Sequence, residues 1–135
     1  MNDLVDRMVG SQTVIDALER ADKGSMLFCH AVLVAVFGKA PAEADLTWIK
    51  NLPGAVSESI DGAVALIDRI RPGSDIDLEI REIMTDGVVR RVTDATIYGR
   101  VHSNELTVRG YGSTPALALC IAALRAHDFQ KDNDK

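Results

Sequence analysis

Aromatic residues are scarce in this sequence: they make up 4% of the chain, as one Trp, two Tyr and three Phe. Cysteine is scarcer, with Cys29 and Cys120 alone. Two thiols inside apolar runs do not define a disulfide framework; they fit a reducing compartment and read as small core residues. A basic excess is missing as well. Fifteen Lys and Arg stand against 20 Asp and Glu, a formal charge of −5 spread over both halves of the chain. That balance argues against direct nucleic-acid binding, which draws on a positive surface. The longest nearly unbroken apolar run, from Met26 to Phe37, falls short of the roughly 20 residues that a membrane-spanning helix needs. It starts behind Asp3, Asp6, Asp16, Glu19 and Asp22, which is not the layout of a secretory signal. The expected location is the cytoplasm, with no membrane partner.

The chemical motifs of common enzymes are missing too. The histidines, His30, His102 and His127, form no HxxxH pair and the cysteines no CxxC, so neither a metal nor a cofactor is expected. Cys29 and His30 are adjacent on a predicted helix, where side chains diverge by about 100°, so they make no catalytic dyad. His30 is expected to be half-buried or buried. Ser113 lacks the GxSxG context of a nucleophile elbow. No catalytic residue is assigned, and the chain is read as a non-enzyme.

What the sequence does hold is enough apolar residue, 47%, for a packed core. Residues 1–130 read as one domain and 131–135 as a frayed tail. A first helix is expected over 2–21 with a break near Gly10–Ser11; Val14, Leu18 and Ala21 share one face. Ser25 caps a second helix that runs to Phe37 and stops at Gly38, apolar on nearly every face and so expected to be buried on most sides. Pro41 and Pro53 bracket a stretch with room for one or two helical turns. Ser59 caps a helix over 60–70 whose stripe is Ile60, Val64, Ile67 and Ile70.

After Gly73 the period falls to 2. Asp75 to Arg81 alternates strictly, Asp86-Gly87 signals a hairpin, and a second strand covers about 88–98. A turn near Ser103–Asn104 leads to a third strand, and Thr114-Pro115 opens a last helix with Leu117, Cys120, Ile121 and Leu124 as its core face. The fold class is α+β: helices packed on both sides of a small antiparallel β-meander, an α/β/α sandwich.

Two constellations stand out. Arg109, Gly110, Tyr111, Gly112, Ser113 and Thr114 form a strand, glycine-rich turn and helix start, where free N–H groups bind an anion and Arg90, Arg91 and Arg100 add charge. The same residues also read as a tight turn that starts a helix; they lack the lysine and spacing of a P-loop. Asp75, Asp77 and Glu79 share the polar face of one strand, either as a solvated face or as a contact for a basic partner. Trp48, the single Trp, covers a core edge or anchors a partner.

The segments STPALALCIAALRAH at 113–127, SIDGAVALI at 59–67 and LERADKGSMLFCHAVLVAVFG at 18–38 together resemble the phage ABA sandwich domain family. These are small phage and prophage proteins of alphaproteobacteria with a closing TPALALCxAALxA motif. The chain departs from the family pattern at Cys29, where relatives carry an acidic residue, and at Ile76 and Leu78, where they carry aromatics. The resemblance implies helix layers on both sides of an antiparallel sheet and a mobile-element origin, and it brings no catalytic residues. On that basis the expected function is binding a host protein to inhibit an anti-phage defence system, in the manner of an anti-CRISPR, inside the bacterial host cell. The alternatives are a nucleotide-signal binder that uses the glycine-rich turn and a phage accessory protein without a defence role. A homodimer is a further expectation, placed on the last helix and the Trp48 region.

Overall fold

A computed structural model describes residues 11–101 and 104–133, with side chains placed for 11–98 and 107–129. Four helices come first: α1 (Ser11–Arg20), α2 (Met26–Phe37), α3 (Glu43–Lys50) and α4 (Ile60–Ile70). Three strands follow, β1 (Asp75–Thr85), β2 (Val88–Val101) and β3 (Asn104–Gly112), and α5 (Pro115–Asn133) closes the chain. The start of the first predicted helix and the turn at 102–103 lie outside the described residues.

The local signals act as written. The Ser25 hydroxyl accepts from Phe28 N–H at 3.2 Å, and Gly38, at φ 85°, ends α2 by donating to Val34 O. Ser59 accepts from Gly62 N–H at 3.2 Å and Thr114 from Leu117 N–H at 3.2 Å. Asp86 and Gly87 both take positive φ, 53° and 79°, as a type I′ hairpin turn requires. The stretch between the prolines holds the eight residues of α3.

The sheet is an antiparallel meander in the order β1-β2-β3. Ile76 lies opposite Ile97 and Leu78 opposite Ala95, and Ile97 and Ala95 in turn face Val108 and Gly110. This face meets α5, which packs along β2 and β3; α1, α2 and α4 pack on α5 from beyond, and α1 reaches β3. The α+β class and the meander are as expected. Among the described residues the helices stack in two tiers on the face that carries Ile97 and Gly110.

That arrangement decides burial. Residues 116–124 of α5 are buried without exception, because the sheet lies on one side and helices on the other. By contrast only Cys29 and Val32 of α2 are fully buried, and His30 is exposed rather than half-buried. The α4 stripe is also rotated from its expected position. Gly62, Ala63, Leu66 and Ile67 are the buried residues, while Ile60 and Val64 are exposed. The helix turns its small residues inward because Gly62 approaches the Gly54–Ala55 backbone, where no larger side chain fits. α5 continues to Asn133, so the anticipated tail is helical at 131–133.

Candidate functional site

Three features of the structure bear on function: a cavity where helix starts converge, the sheet face that no described helix covers, and a protruding hairpin.

The cavity has a volume of about 380 Å³ and is lined in part by Lys23, Gly24, Glu58, Ile60, Thr114 and Pro115. It lies where α2, α4 and α5 begin, so the positive ends of three helix dipoles and Lys23 surround it, with Glu58 opposing them. Its floor is held by Ser57, which is fully buried. The Ser57 hydroxyl donates to Ser25 O at 2.8 Å and accepts from Ser25 N–H at 3.2 Å. With that proton spent, the Cys29 thiol, 3.0 Å away, is the donor to Ser57 Oγ, while Ser57 N–H donates to Cys29 Sγ at 3.3 Å. Cys120 Sγ donates to Val56 O at 3.0 Å. Two cysteines far apart in sequence thus pin the same short segment. Burial pushes the Cys120 thiol far up from its ordinary range, and the neighbouring Cys29 pushes the same way.

The glycine-rich turn is built for packing. Gly110 and Gly112 are buried against α5: a Cβ at Gly110 would run into Ala118 O and Ala122 N, and one at Gly112 would sit 2.9 Å from Ala118 N. The space a phosphate would need is filled by the helix backbone. Pro115 has no N–H and the Leu117 N–H is taken by Thr114, which leaves the α5 start few donors. Ser113 is half-buried in the turn, and Arg109 and Tyr111 are exposed on the opposite face of the sheet. Arg90 and Arg91 lie beyond the end of β3, and the Arg100 side chain is outside those described. Of the six residues, Thr114 alone lines the cavity.

The sheet face that no described helix covers carries Asp75, Asp77, Glu79 and Arg81 along β1, all exposed. Asp94 on β2, 8% exposed, is the hub: Arg81 bonds it from β1, and Arg109 approaches from β3 at 3.9 Å. The acidic row therefore ends in a mixed cluster spanning all three strands. Trp48 sits elsewhere, half-buried on the helical side. Its ring meets Phe37 at 5.4 Å, and the Arg69 guanidinium lies 5.8 Å from it while bridging Asp45 at 2.8 Å. That position covers a core edge.

Sequence reasoning placed the hairpin turn at Asp86-Gly87 but not how far the hairpin projects. β3 pairs with β2 only from Thr93 onward, so residues 81–92 form a two-stranded arm beyond the sheet. Met84 is 73% exposed, Val88 60% and Ile80, at the arm's base, 56%. The signal was available: the second strand is longer than the third. Arg71, 6% exposed, is the C-cap residue of α4, and its backbone N–H donates to Ile67 O.

Among the described residues no three potential metal ligands come together, and no helix is long and apolar enough to cross a membrane. In comparisons with known proteins, no family model, curated protein or solved structure matches the chain.

Proposed function

We propose that this chain is a small non-enzymatic binding protein of a mobile element, which acts by binding a host defence protein in the manner of an anti-CRISPR. The observation that carries the reading is the sheet face that no described helix covers, where Asp75, Asp77 and Glu79 are exposed along one strand. Carboxylates two residues apart repeat at about 6.6 Å on one face and offer a periodic negative surface. Such a row suits a basic partner, the usual character of a nucleic-acid-handling effector, and raises its rate of encounter. The sequence resemblance supplies the mobile-element context.

The test is phage plating on a defence-competent host. Expression of the wild-type chain is expected to restore plating, and the Asp75→Lys/Asp77→Lys variant, folded by circular dichroism, is expected to abolish that effect. Unchanged plating with the wild type across a panel of defence systems, or full activity in the variant, overturns the reading.

A second reading, sequestration of a nucleotide signal, is favoured by the cavity and not by the glycine turn. Lys23 and three helix starts face a space of about 380 Å³, within the range of small-ligand sites. Calorimetry with cyclic dinucleotides and ADP-ribose is expected to show binding that Lys23→Glu weakens. Absence of heat with both ligands removes this reading.

A further inference from the structure

The free edge of β1 has no part in the function proposed above. β1 runs 11 residues in unbroken register with β2, with no bulge to blunt it. Among the described elements, β2 is the only one it packs against closely. The edge at β3 is treated differently: α1 reaches it, and Arg125 donates to Arg109 O at 2.8 Å. A long edge that no described element covers, with exposed Ile80 and Met84, is a template for another strand.

We infer that two copies of this chain pair through β1, antiparallel about a two-fold axis at Ile80, to form one continuous six-stranded sheet. The charges select both the partner and the register. For the apolar faces to join, even-numbered residues must lie opposite even-numbered ones, so each allowed register is centred on one residue. Centres at Glu79, Arg81 or Glu82 place like charges against each other on the axis, and a centre at Leu78 sets Asp77 against Glu79 of the second copy. A centre at Ile80 overlaps all 11 residues of β1. It places Glu79 opposite Arg81 of the second copy, twice by symmetry, covers Ile80 with its own mate, and sets exposed Met84 against Ile76. Two mismatches remain: Leu78 opposite Glu82, eased because Arg91 already lies 3.8 Å from the Glu82 carboxylate, and Asp77 opposite Ile83, on the face where Asp77 is exposed. The strand is thus self-complementary in charge as well as in shape. The pairing engages Glu79 of the acidic row but leaves Asp75 and Asp77, which the plating test reads, exposed on the sheet face, so the two readings fail separately.

Light scattering on the purified chain, in ligand-free buffer, is expected to read twice 14.6 kDa. Glu79→Arg and Arg81→Glu are each expected to halve that mass, since each sets like charges together. The double variant Glu79→Arg/Arg81→Glu is expected to restore it; the guanidinium introduced at position 79 then faces Asp94 directly, so an internal ion pair survives. Ile80→Cys is expected to yield a disulfide-linked dimer on mild oxidation and Glu82→Cys none, with Cys29 and Cys120 too buried to compete. Circular dichroism confirms that each variant is folded. A monomeric wild type, a dimer indifferent to the single swaps, a double variant that stays monomeric, or cross-linking through position 82 instead of 80 overturns the inference.

Discussion

At the scale of single residues, the thiols show how far a side chain's chemistry depends on its neighbours. An apolar context in sequence was enough to make Cys29 and Cys120 core residues, and both are buried. That they hydrogen-bond to adjacent positions, Ser57 and Val56, was not legible, because 91 residues of chain separate them (120 − 29). The raised Cys120 thiol has a consequence for stability. The unfolded thiol ionises at about pH 8.5, and the folded one only far above it. The folded state therefore keeps a proton that the unfolded state loses, so this contribution is fully present below about pH 8.5 and declines as pH rises beyond it. Urea denaturation between about pH 7 and 10 is expected to show a loss approaching about 1.4 kcal/mol per pH unit at the alkaline end, attenuated in Cys120→Ala. A slope equal in wild type and variant would assign it to other groups. His30 makes the opposite point: in an apolar run it still faces water, because its side of α2 has no neighbour among the described elements.

At the scale of elements, boundaries were legible because they are local. Ser25, Ser59, Thr114, Gly38 and Asp86-Gly87 each act through hydrogen bonds or backbone angles within a few residues. Which helix becomes the central one was not. α2 reads as apolar on nearly every face and so buried on most sides, yet Met26 and Leu27 at its start are exposed. α5 reads as a helix with one core stripe, yet it is enclosed all round over 116–124. The reason is size as well as hydropathy. Alanines on α5 and glycines on β3 let backbone approach backbone, and the helix that fits closest to the sheet takes the centre. Gly110→Ala is accordingly expected to cost about 3 kcal/mol or more in urea unfolding, because its Cβ meets main-chain atoms of α5 that have no freedom to move aside. Gly87→Ala, in open space but at φ 79°, is expected to cost only about 1 kcal/mol. Equal losses at the two positions would show that close approach is not what Gly110 supplies.

At the scale of the molecule, the described residues form one core with an arm. The core cluster takes residues from α1, α2, α4, the sheet and α5, and residues 81–92 stand outside it. The arm packs on itself, so it should contribute little to the stability of the rest. Replacing residues 82–91 with Asp-Gly keeps Arg81 opposite Val92 and retains a two-residue hairpin turn. The shortened chain is expected to unfold within about 1 kcal/mol of wild type and to be monomeric, since Met84 and Thr85 no longer complete the β1 edge. A collapse in stability would mean that the arm has contacts beyond those described. The expected homodimer surface also moves at this scale. The last helix is buried over 116–124 and Trp48 covers its own core edge, so the β1 pairing inferred above draws on neither.

The α+β class, the strand and helix order, the caps and the hairpin turn are legible in the residues alone, because they depend on period and on short-range hydrogen bonds. It also placed Asp75, Asp77 and Glu79 on one exposed row, since alternation alone sets the face of a strand. That the glycines of the turn serve packing, that the described helices stack against one sheet face, and that three helix starts meet at a cavity emerges only when remote segments pack together. Each of those outcomes rests on the distance between segments remote along the chain, a quantity that neither periodicity nor spacing records.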